Sequence, residues 1–168
     1  MTDKVYNVLF LCTGNSARSV MSEALATILS QGCFRGYSAG SQPTGRINPL
    51  AIEQIKQFDP DFPTDGMRSK GWNEFALPDA PHMDFIVTVC DNAASEACSY
   101  WPGRPATAHW SYEDPAAVEG SDDEKRAAFA KTFGQIRTRM EAFVALPIET
   151  MDADAIGLAA KKIGEIAV

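Results

Sequence analysis

The most constraining feature of this chain is an apolar run, residues 5–11, that leads directly into Cys12. Five small or polar residues follow, and Arg18 then opens an amphipathic segment. This pattern predicts a strand, a tight loop and a helix, in that order. The order places the backbone N–H groups of the loop at a helix N-terminus, where unsatisfied donors and the positive end of the helix dipole favour an anion.

The loop therefore has the features of an oxyanion-binding site with a nucleophile at its base. Arg18 supplies a planar guanidinium that can bind two oxygens of a tetrahedral anion. The same field favours a thiolate, so we expect Cys12 to have a lowered pKa and to act as a nucleophile at neutral pH. The other candidate oxyanion-binding residues are Thr13, Gly14, Asn15, Ser16, Ala17 and Ser19.

The spacing of the cysteine and the arginine is a weak signal by itself, and the alternative is an inert, buried cysteine at a strand end. The context strengthens it, because Gly14 lies where the backbone must bend and Asn15 tolerates left-handed geometry. We expect Asn15 to brace the loop. Ser19 is expected either to donate a hydrogen bond to the Cys12 sulfur or merely to cap the helix.

Composition narrows the class of protein. With 168 residues, 45% of them hydrophobic and 22% charged, the chain fits one globular domain over residues 1–168. A net charge of −7 without a basic patch argues against nucleic acid and anionic membranes as partners. No signal-like or membrane-spanning run is present, which predicts a cytoplasmic protein. The four cysteines lack C-x2-C spacing, which argues against a metal site and favours reactive thiols.

The rest of the chain alternates between strand and helix patterns. Strands are predicted over residues 34–40, 84–89 and 106–110, and helices over 18–31, after Asn48-Pro49, from the capping box at Ser121 onward, and over 150–166. Residues 59–81 are predicted to be irregular, with a short helix near 69–76. This alternation predicts an α/β fold, a three-layer sandwich whose central parallel four-stranded sheet carries helices on both faces.

Three reactive side chains follow predicted strands: Cys12, Cys90 and Asp114. Because ligands of parallel sheets bind beyond the carboxyl ends of the strands, we expect the three to converge at one edge. Each has a plainer alternative, core packing for Cys90 and a turn carboxylate before proline for Asp114. His109 and Trp110, just before that turn, are interpreted as packing residues.

These motifs together resemble the low-molecular-weight protein tyrosine phosphatase fold, and more closely the thiol-dependent arsenate reductases built on it. The resemblance covers residues 5–146 and is carried by the Cys12–Ser19 loop, Tyr37-Ser-Ala-Gly40, Val87-Thr-Val-Cys-Asp91, Cys98 and Asp114-Pro115. Phosphatases of this fold usually place a cysteine beside the arginine and an aromatic residue after Asp-Pro. Here Ala17 and Ala116 occupy those places, which favours the reductases.

The resemblance implies two-electron reduction of arsenate to arsenite. Cys12 would attack arsenic while Arg18 and the loop hold the oxyanion, and Asp114 would protonate the departing oxygen. Cys90 would then attack the Cys12 sulfur and leave a disulfide. Cys98 would accept the oxidising equivalent from Cys90, unless it is a bystander.

The resemblance implies no bound cofactor. It implies an external thiol reductant, which is glutaredoxin with glutathione, thioredoxin or a similar donor, and phosphate and sulfate as competitors of arsenate. Two alternatives stay open. One is a phosphatase that hydrolyses phosphate monoesters through a Cys12 phosphoenzyme, and the other is a module that only binds oxyanions or senses redox state.

Overall fold

The computed structural model describes residues 5–91 and 105–168. Its strands are β1 (Tyr6–Cys12), β2 (Phe34–Gly40), β3 (Phe85–Thr88) and β4 (Ala106–His109). Its α-helices are α1 (Arg18–Leu29), α2 (Pro49–Phe58), α3 (Asp122–Val144) and α4 (Ala153–Ile163). Short 3-10 turns occupy Thr64–Gly66, Trp72–Ala76, Pro115–Ala117 and Ile148–Thr150.

The four strands form one parallel sheet in the order β2-β1-β3-β4, which confirms the predicted α/β fold. In this register Cys12 pairs with Gly40, Leu11 pairs with Thr88, and Thr88 pairs with His109. The carboxyl ends of all four strands are therefore aligned, and the residues that follow them share one edge of the sheet.

The central strand β1 is buried on both faces, since residues 8–11 are all fully inaccessible to solvent. A continuous apolar strand of this kind is expected where helices cover both sides of a parallel sheet. The predicted helix over 18–31 ends earlier, at Leu29, because Gln31 and Gly32 adopt positive φ angles of 53° and 92°.

The predicted start of α3 is confirmed, because the Ser121 hydroxyl caps the helix and accepts a hydrogen bond from the Glu124 N–H at 3.2 Å. The stripe of α3 that faces the core consists of Phe129, Phe133, Ile136, Met140 and Phe143, all of them buried. Helix α4 packs on the edge strand β4, and its predicted inward residues Ile156, Ala160 and Ile163 are buried. Within the two described ranges, no helix has the length and apolar character that crossing a bilayer would require.

Candidate active site

The loop between β1 and α1 is braced at its centre by Asn15, as predicted. Asn15 is fully buried and has a φ of 48°, the left-handed geometry that asparagine tolerates. Its side-chain oxygen accepts from the Lys70 N–H at 2.9 Å, and its amide donates to the Ser19 hydroxyl at 2.9 Å. Ser19 lies inside the first turn of α1, so the capping alternative is wrong. Its hydrogen bond to the Cys12 sulfur stays a prediction.

The peptide groups of the loop are oriented by the segment that follows β2. The carbonyls of Cys12, Thr13, Gly14 and Ser16 accept from the N–H groups of Ser41, Gln42, Thr44 and Asn48, respectively, at 2.9 to 3.3 Å. In a trans peptide the C=O and the next N–H point in opposite directions. The N–H groups that follow these carbonyls therefore point away from the bracing segment, as oxyanion binding by the loop requires.

Gly40 allows the end of β2 to approach this loop. An ideal Cβ at Gly40 would lie 2.3 Å from the Thr13 carbonyl oxygen and 3.0 Å from the Asn15 nitrogen. Both neighbours are backbone atoms that cannot move aside, so a larger residue would displace the loop. This contact explains why a glycine closes the motif that runs from Tyr37 to Gly40.

The structure brings Cys12 and Cys90 together beneath the loop. Each residue is 4% exposed, and the two thiols form a side-chain hydrogen bond. The Thr13 hydroxyl lies 3.6 Å from the Cys90 sulfur. The predicted convergence of the two cysteines at one sheet edge is therefore confirmed. Because Cys90 contacts another thiol, it does more than fill the core.

The prediction that Cys12 has a lowered pKa is wrong for this reduced pair of thiols. The hydrogen bond with Cys90 and burial both raise the pKa of the Cys12 thiol above its ordinary value. The Arg18 guanidinium and the Thr13 N–H act in the opposite direction, as predicted, but they do not prevail. When two buried thiols are in contact, ionisation of both is unfavourable, because the two negative charges would repel each other.

Arg18 and Asp114 face each other across the mouth of the loop. The Arg18 Nη2 lies 3.7 Å from one carboxylate oxygen of Asp114, and its Nη1 donates to the Tyr112 carbonyl at 3.0 Å. The second oxygen of Asp114 accepts from the Ala116 N–H at 3.0 Å and caps a short 3-10 turn. Asp114 thus caps a turn, but its other carboxylate oxygen faces Arg18 in the predicted site. Its 43% exposed side chain is open to solvent.

A buried ion pair that the sequence did not indicate lies behind the loop. The Lys70 ammonium is 3.8 Å from the Glu23 carboxylate, and the two side chains are only 10% and 16% exposed. Ser38 donates a hydrogen bond to the same carboxylate at 2.8 Å. Burial raises the pKa of Glu23, although Lys70 opposes this change, and burial lowers the pKa of Lys70. The backbone N–H of Lys70 is the one that binds Asn15, so this pair supports the loop.

His109 is not the packing residue that the sequence predicted. The side chain of His109 is 39% exposed and contacts Asp91 through Nε2 at 2.9 Å. Trp110, by contrast, is fully buried and donates to the Ala160 carbonyl at 2.8 Å, so its packing role is confirmed. The only sequence signal for this contact was the position of His109, a polar residue at the end of a predicted strand and next to Trp110.

Cys98 lies outside the described residues, so its implied redox role is untested by the structure. Within residues 5–91 and 105–168, no group of three or more His, Cys, Asp or Glu side chains is arranged to hold a metal ion. The chemistry that the described residues can perform is therefore that of two contacting thiols, a guanidinium, a carboxylic acid and a ring of amide donors.

Comparisons with known proteins identify relatives over most of the chain. The family model described as low molecular weight phosphotyrosine protein phosphatase matches residues 7–155. An arsenate reductase of Bacillus licheniformis is 34% identical over 137 residues, covering 81% of this chain and 93% of that protein. An arsenate reductase of Halalkalibacterium halodurans is 35% identical over 136 residues, with the same two coverages.

A solved structure leads to the same family. The crystal structure of an arsenate reductase from Archaeoglobus fulgidus has a TM-score of 0.61 and 25% sequence identity, covering 83% of this chain and 99% of that one. The resemblance noted in the sequence motifs is thereby confirmed. The chain belongs to the low molecular weight phosphotyrosine protein phosphatase family.

Proposed function

We propose that this protein reduces arsenate to arsenite. The single observation that carries the proposal is the hydrogen-bonded pair of thiols, Cys12 and Cys90, at the base of the oxyanion loop. Ester hydrolysis through a phosphoenzyme needs one nucleophilic thiol, whereas forming a disulfide needs two in contact. The arsenate reductases among its relatives support the same choice.

The first step joins Cys12 to arsenic. Arg18 and the N–H groups of the loop hold the oxyanion, the Cys12 thiol gives its proton to an arsenate oxygen, and the resulting thiolate attacks arsenic(V). The hydroxyl so formed takes a second proton from Asp114, whose carboxyl faces the guanidinium that binds the anion, and leaves as water. The product is a covalent adduct with a sulfur–arsenic bond, and arsenic is still in its +5 state.

The second step transfers the electrons. Cys90 attacks the Cys12 sulfur, the sulfur–arsenic bond breaks, and its electron pair stays on arsenic, which leaves as arsenite in the +3 state. Each sulfur has lost one electron, and the two are joined in a disulfide. Cys98 would then attack Cys90, and an external thiol donor, such as glutaredoxin with glutathione or thioredoxin, would restore the thiols.

The reaction also suggests a cellular compartment for the protein and anions that compete with arsenate. Because every turnover consumes reduced thiol, we expect the protein to work in the cytosol, where thiols are kept reduced. Phosphate and sulfate have the tetrahedral geometry of arsenate, so we expect them to compete for the loop. No metal ion or organic cofactor takes part in the proposed steps.

The test measures arsenite production and phosphate-ester hydrolysis by the same preparations. Purified protein is supplied with arsenate and with each thiol donor in turn. Cys90→Ser should abolish arsenite production and leave hydrolysis of p-nitrophenyl phosphate at or above the wild-type level. Cys33→Ser is the matched control, since Cys33 is exposed and should affect neither reaction. An unchanged arsenate rate in Cys90→Ser would eliminate the mechanism.

The same experiment separates the two alternatives. A phosphatase would hydrolyse the ester with Cys12, Arg18 and Asp114 and no other thiol, and it would produce no arsenite with any donor. A binding or sensing module would bind arsenate or form one disulfide and then stop. Sustained production of arsenite with excess reductant excludes that module.

A further inference from the structure

The residues on either side of Cys90 are bound to one imidazole ring. Thr88, two positions before Cys90, contacts the Nδ1 of His109 through its hydroxyl at 2.7 Å. Asp91, the residue after Cys90, contacts the Nε2 of the same ring at 2.9 Å. His109 therefore joins the end of β4 to both flanks of the second thiol.

The direction of the outer hydrogen bond follows from the chemistry of its partners. The side-chain hydrogen bonds from His109 and from Ser111 lower the pKa of Asp91, so its carboxylate is ionised and can only accept. Nε2 of His109 must therefore carry a hydrogen and donate it. The Ser111 hydroxyl donates to the same carboxylate oxygen at 3.0 Å. Two donors from the segment after β4 thus hold Asp91.

Backbone hydrogen bonds also join the ends of β3 and β4 at this point. Thr88 pairs with His109 in the sheet, and the Thr88 carbonyl accepts from the Trp110 N–H at 2.8 Å. The β3 strand ends at Thr88, two residues before Cys90. The hydrogen bond between His109 and Asp91 connects the chain just after Cys90 to the end of β4.

We propose that His109 is a positioning residue for Cys90, which it holds through Thr88 and Asp91 at the site of attack on the Cys12 sulfur. This inference rests on the proposed function. Attack of one sulfur on another needs the two atoms close together and in line, and a displacement of about 1 Å can cost a large factor in rate. The Thr13 hydroxyl contacts the Cys90 sulfur from the loop, and His109 holds the side chains of Thr88 and Asp91, which flank Cys90 in the chain.

The hydrogen bonds of His109 should contribute little to stability, so variants of this residue can be compared with the parent protein in the folded state. The side chains of His109 and Asp91 are 39% and 84% exposed, and exposed charged pairs add little to the free energy of unfolding. Variants of His109 should therefore fold, and their melting temperatures should stay close to that of the parent protein.

The experiment follows the Cys12–Cys90 disulfide directly. All proteins carry Cys98→Ser, so that the disulfide cannot pass to that residue. Each is reduced, mixed with one equivalent of arsenate, quenched with N-ethylmaleimide at intervals, and analysed by mass spectrometry. A second arm replaces arsenate with diamide, a two-electron oxidant of thiols that does not use the oxyanion loop. A third arm measures the rate at which iodoacetamide alkylates Cys12.

The variants distinguish the two hydrogen bonds of the imidazole ring, to Thr88 and to Asp91. His109→Ala loses both hydrogen bonds, the amide nitrogen of His109→Gln replaces the Nε2 donor, and the side-chain amide of His109→Asn, which has both an oxygen and a nitrogen, replaces Nδ1. We expect His109→Ala to slow the disulfide in both arms by about tenfold or more, and the Gln and Asn variants to recover part of the rate. Alkylation of Cys12 should not become slower. His82→Ala, which changes an exposed histidine before β3, should match the parent protein.

Two results would overturn the inference. One is a disulfide that forms as fast in His109→Ala as in the parent, and the other is a loss of rate that neither Gln nor Asn reduces, which would indicate packing by the ring. A parent protein that forms the disulfide with diamide but not with arsenate would contradict the proposed function, while the diamide arm would still decide the role of His109.

Discussion

The hydroxyl of Thr13 lies 3.6 Å from the Sγ of Cys90, although 77 positions separate the two residues. Thr13 belongs to the loop after β1 and Cys90 follows β3, and the pairing of Leu11 with Thr88 brings these two strand ends together. The N–H of Thr13 also forms a hydrogen bond with the Cys12 sulfur. One residue thus contacts both thiols that the proposed reaction joins in a disulfide.

Removing the Thr13 hydroxyl should selectively slow the attack of Cys90 on the Cys12 sulfur. In Thr13→Val the N–H that binds Cys12 is kept, but Cys90 loses a hydrogen bond worth about 1 kcal/mol, so the Cys12–Cys90 disulfide should form about fivefold more slowly. Thr13→Ser keeps the hydroxyl and is the matched control. The measurement is a quenched single turnover with arsenate. Equal rates for the Val and Ser variants would show that the contact has no kinetic role.

Removing Cys90 should lower the pKa of Cys12. The hydrogen bond with Cys90 is the largest of the effects that raise this pKa, so Cys90→Ala leaves burial opposed by Arg18 and the Thr13 N–H. The thiolate fraction of Cys12 near neutral pH should increase, and alkylation by iodoacetamide should become faster. The pH dependence of alkylation, resolved by residue with mass spectrometry, measures the shift. Cys33→Ala should leave the profile in place, and an unchanged profile in Cys90→Ala would contradict the assigned cause.

Replacing the candidate general acid should reduce the rate of the first step. Asp114→Asn keeps an oxygen that can accept from the Ala116 N–H, so the 3-10 turn should persist, but it cannot deliver a proton. We expect arsenite production to fall about 10²-fold to 10³-fold. Glu113→Gln, at the exposed preceding position, is the control that changes the same charge. A loss of less than about threefold in Asp114→Asn would assign proton delivery to another group.

The buried pair behind the loop should contribute stability that depends on pH. Lys70 lowers the pKa of Glu23 against the effect of burial, so Lys70→Met leaves an unpaired buried carboxylate whose pKa rises further. The cost is present where Glu23 is ionised in the unfolded chain and disappears as pH falls below the unfolded pKa, where the carboxyl is protonated in both states. We expect a loss of about 3 kcal/mol near pH 8 and a smaller loss near pH 5.

Urea denaturation at the two pH values checks this expectation. Arg68→Met is the matched control, because Arg68 and its partner Glu74 are 61% and 45% exposed. Their ion pair should contribute less than about 1 kcal/mol. A Lys70→Met variant that loses the same stability at both pH values would show that lost packing, and not the unpaired carboxylate, is the cause.

Much of the fold and the outline of the site could be predicted from residues close together in the chain. The apolar run before Cys12, the tolerance of Asn15 for positive φ and the Ser121 capping box act within one or two turns of backbone. The bounds of β2 were predicted without error, and β1, α1 and β3 were within two residues. The parallel direction of the strands also followed, because helical connections between successive strands align their carboxyl ends.

The sequence by itself determined the strand, the loop, the helix and the placement of Cys12, Cys90 and Asp114 at one sheet edge. Only the tertiary structure decided the pKa of Cys12, the pairing of Lys70 with Glu23 and the attachment of Asp91 to His109. These depend on distance and on exclusion of water between residues far apart in the chain. Local patterns do not contain such distances, because sheet register and burial are set by the whole core at once.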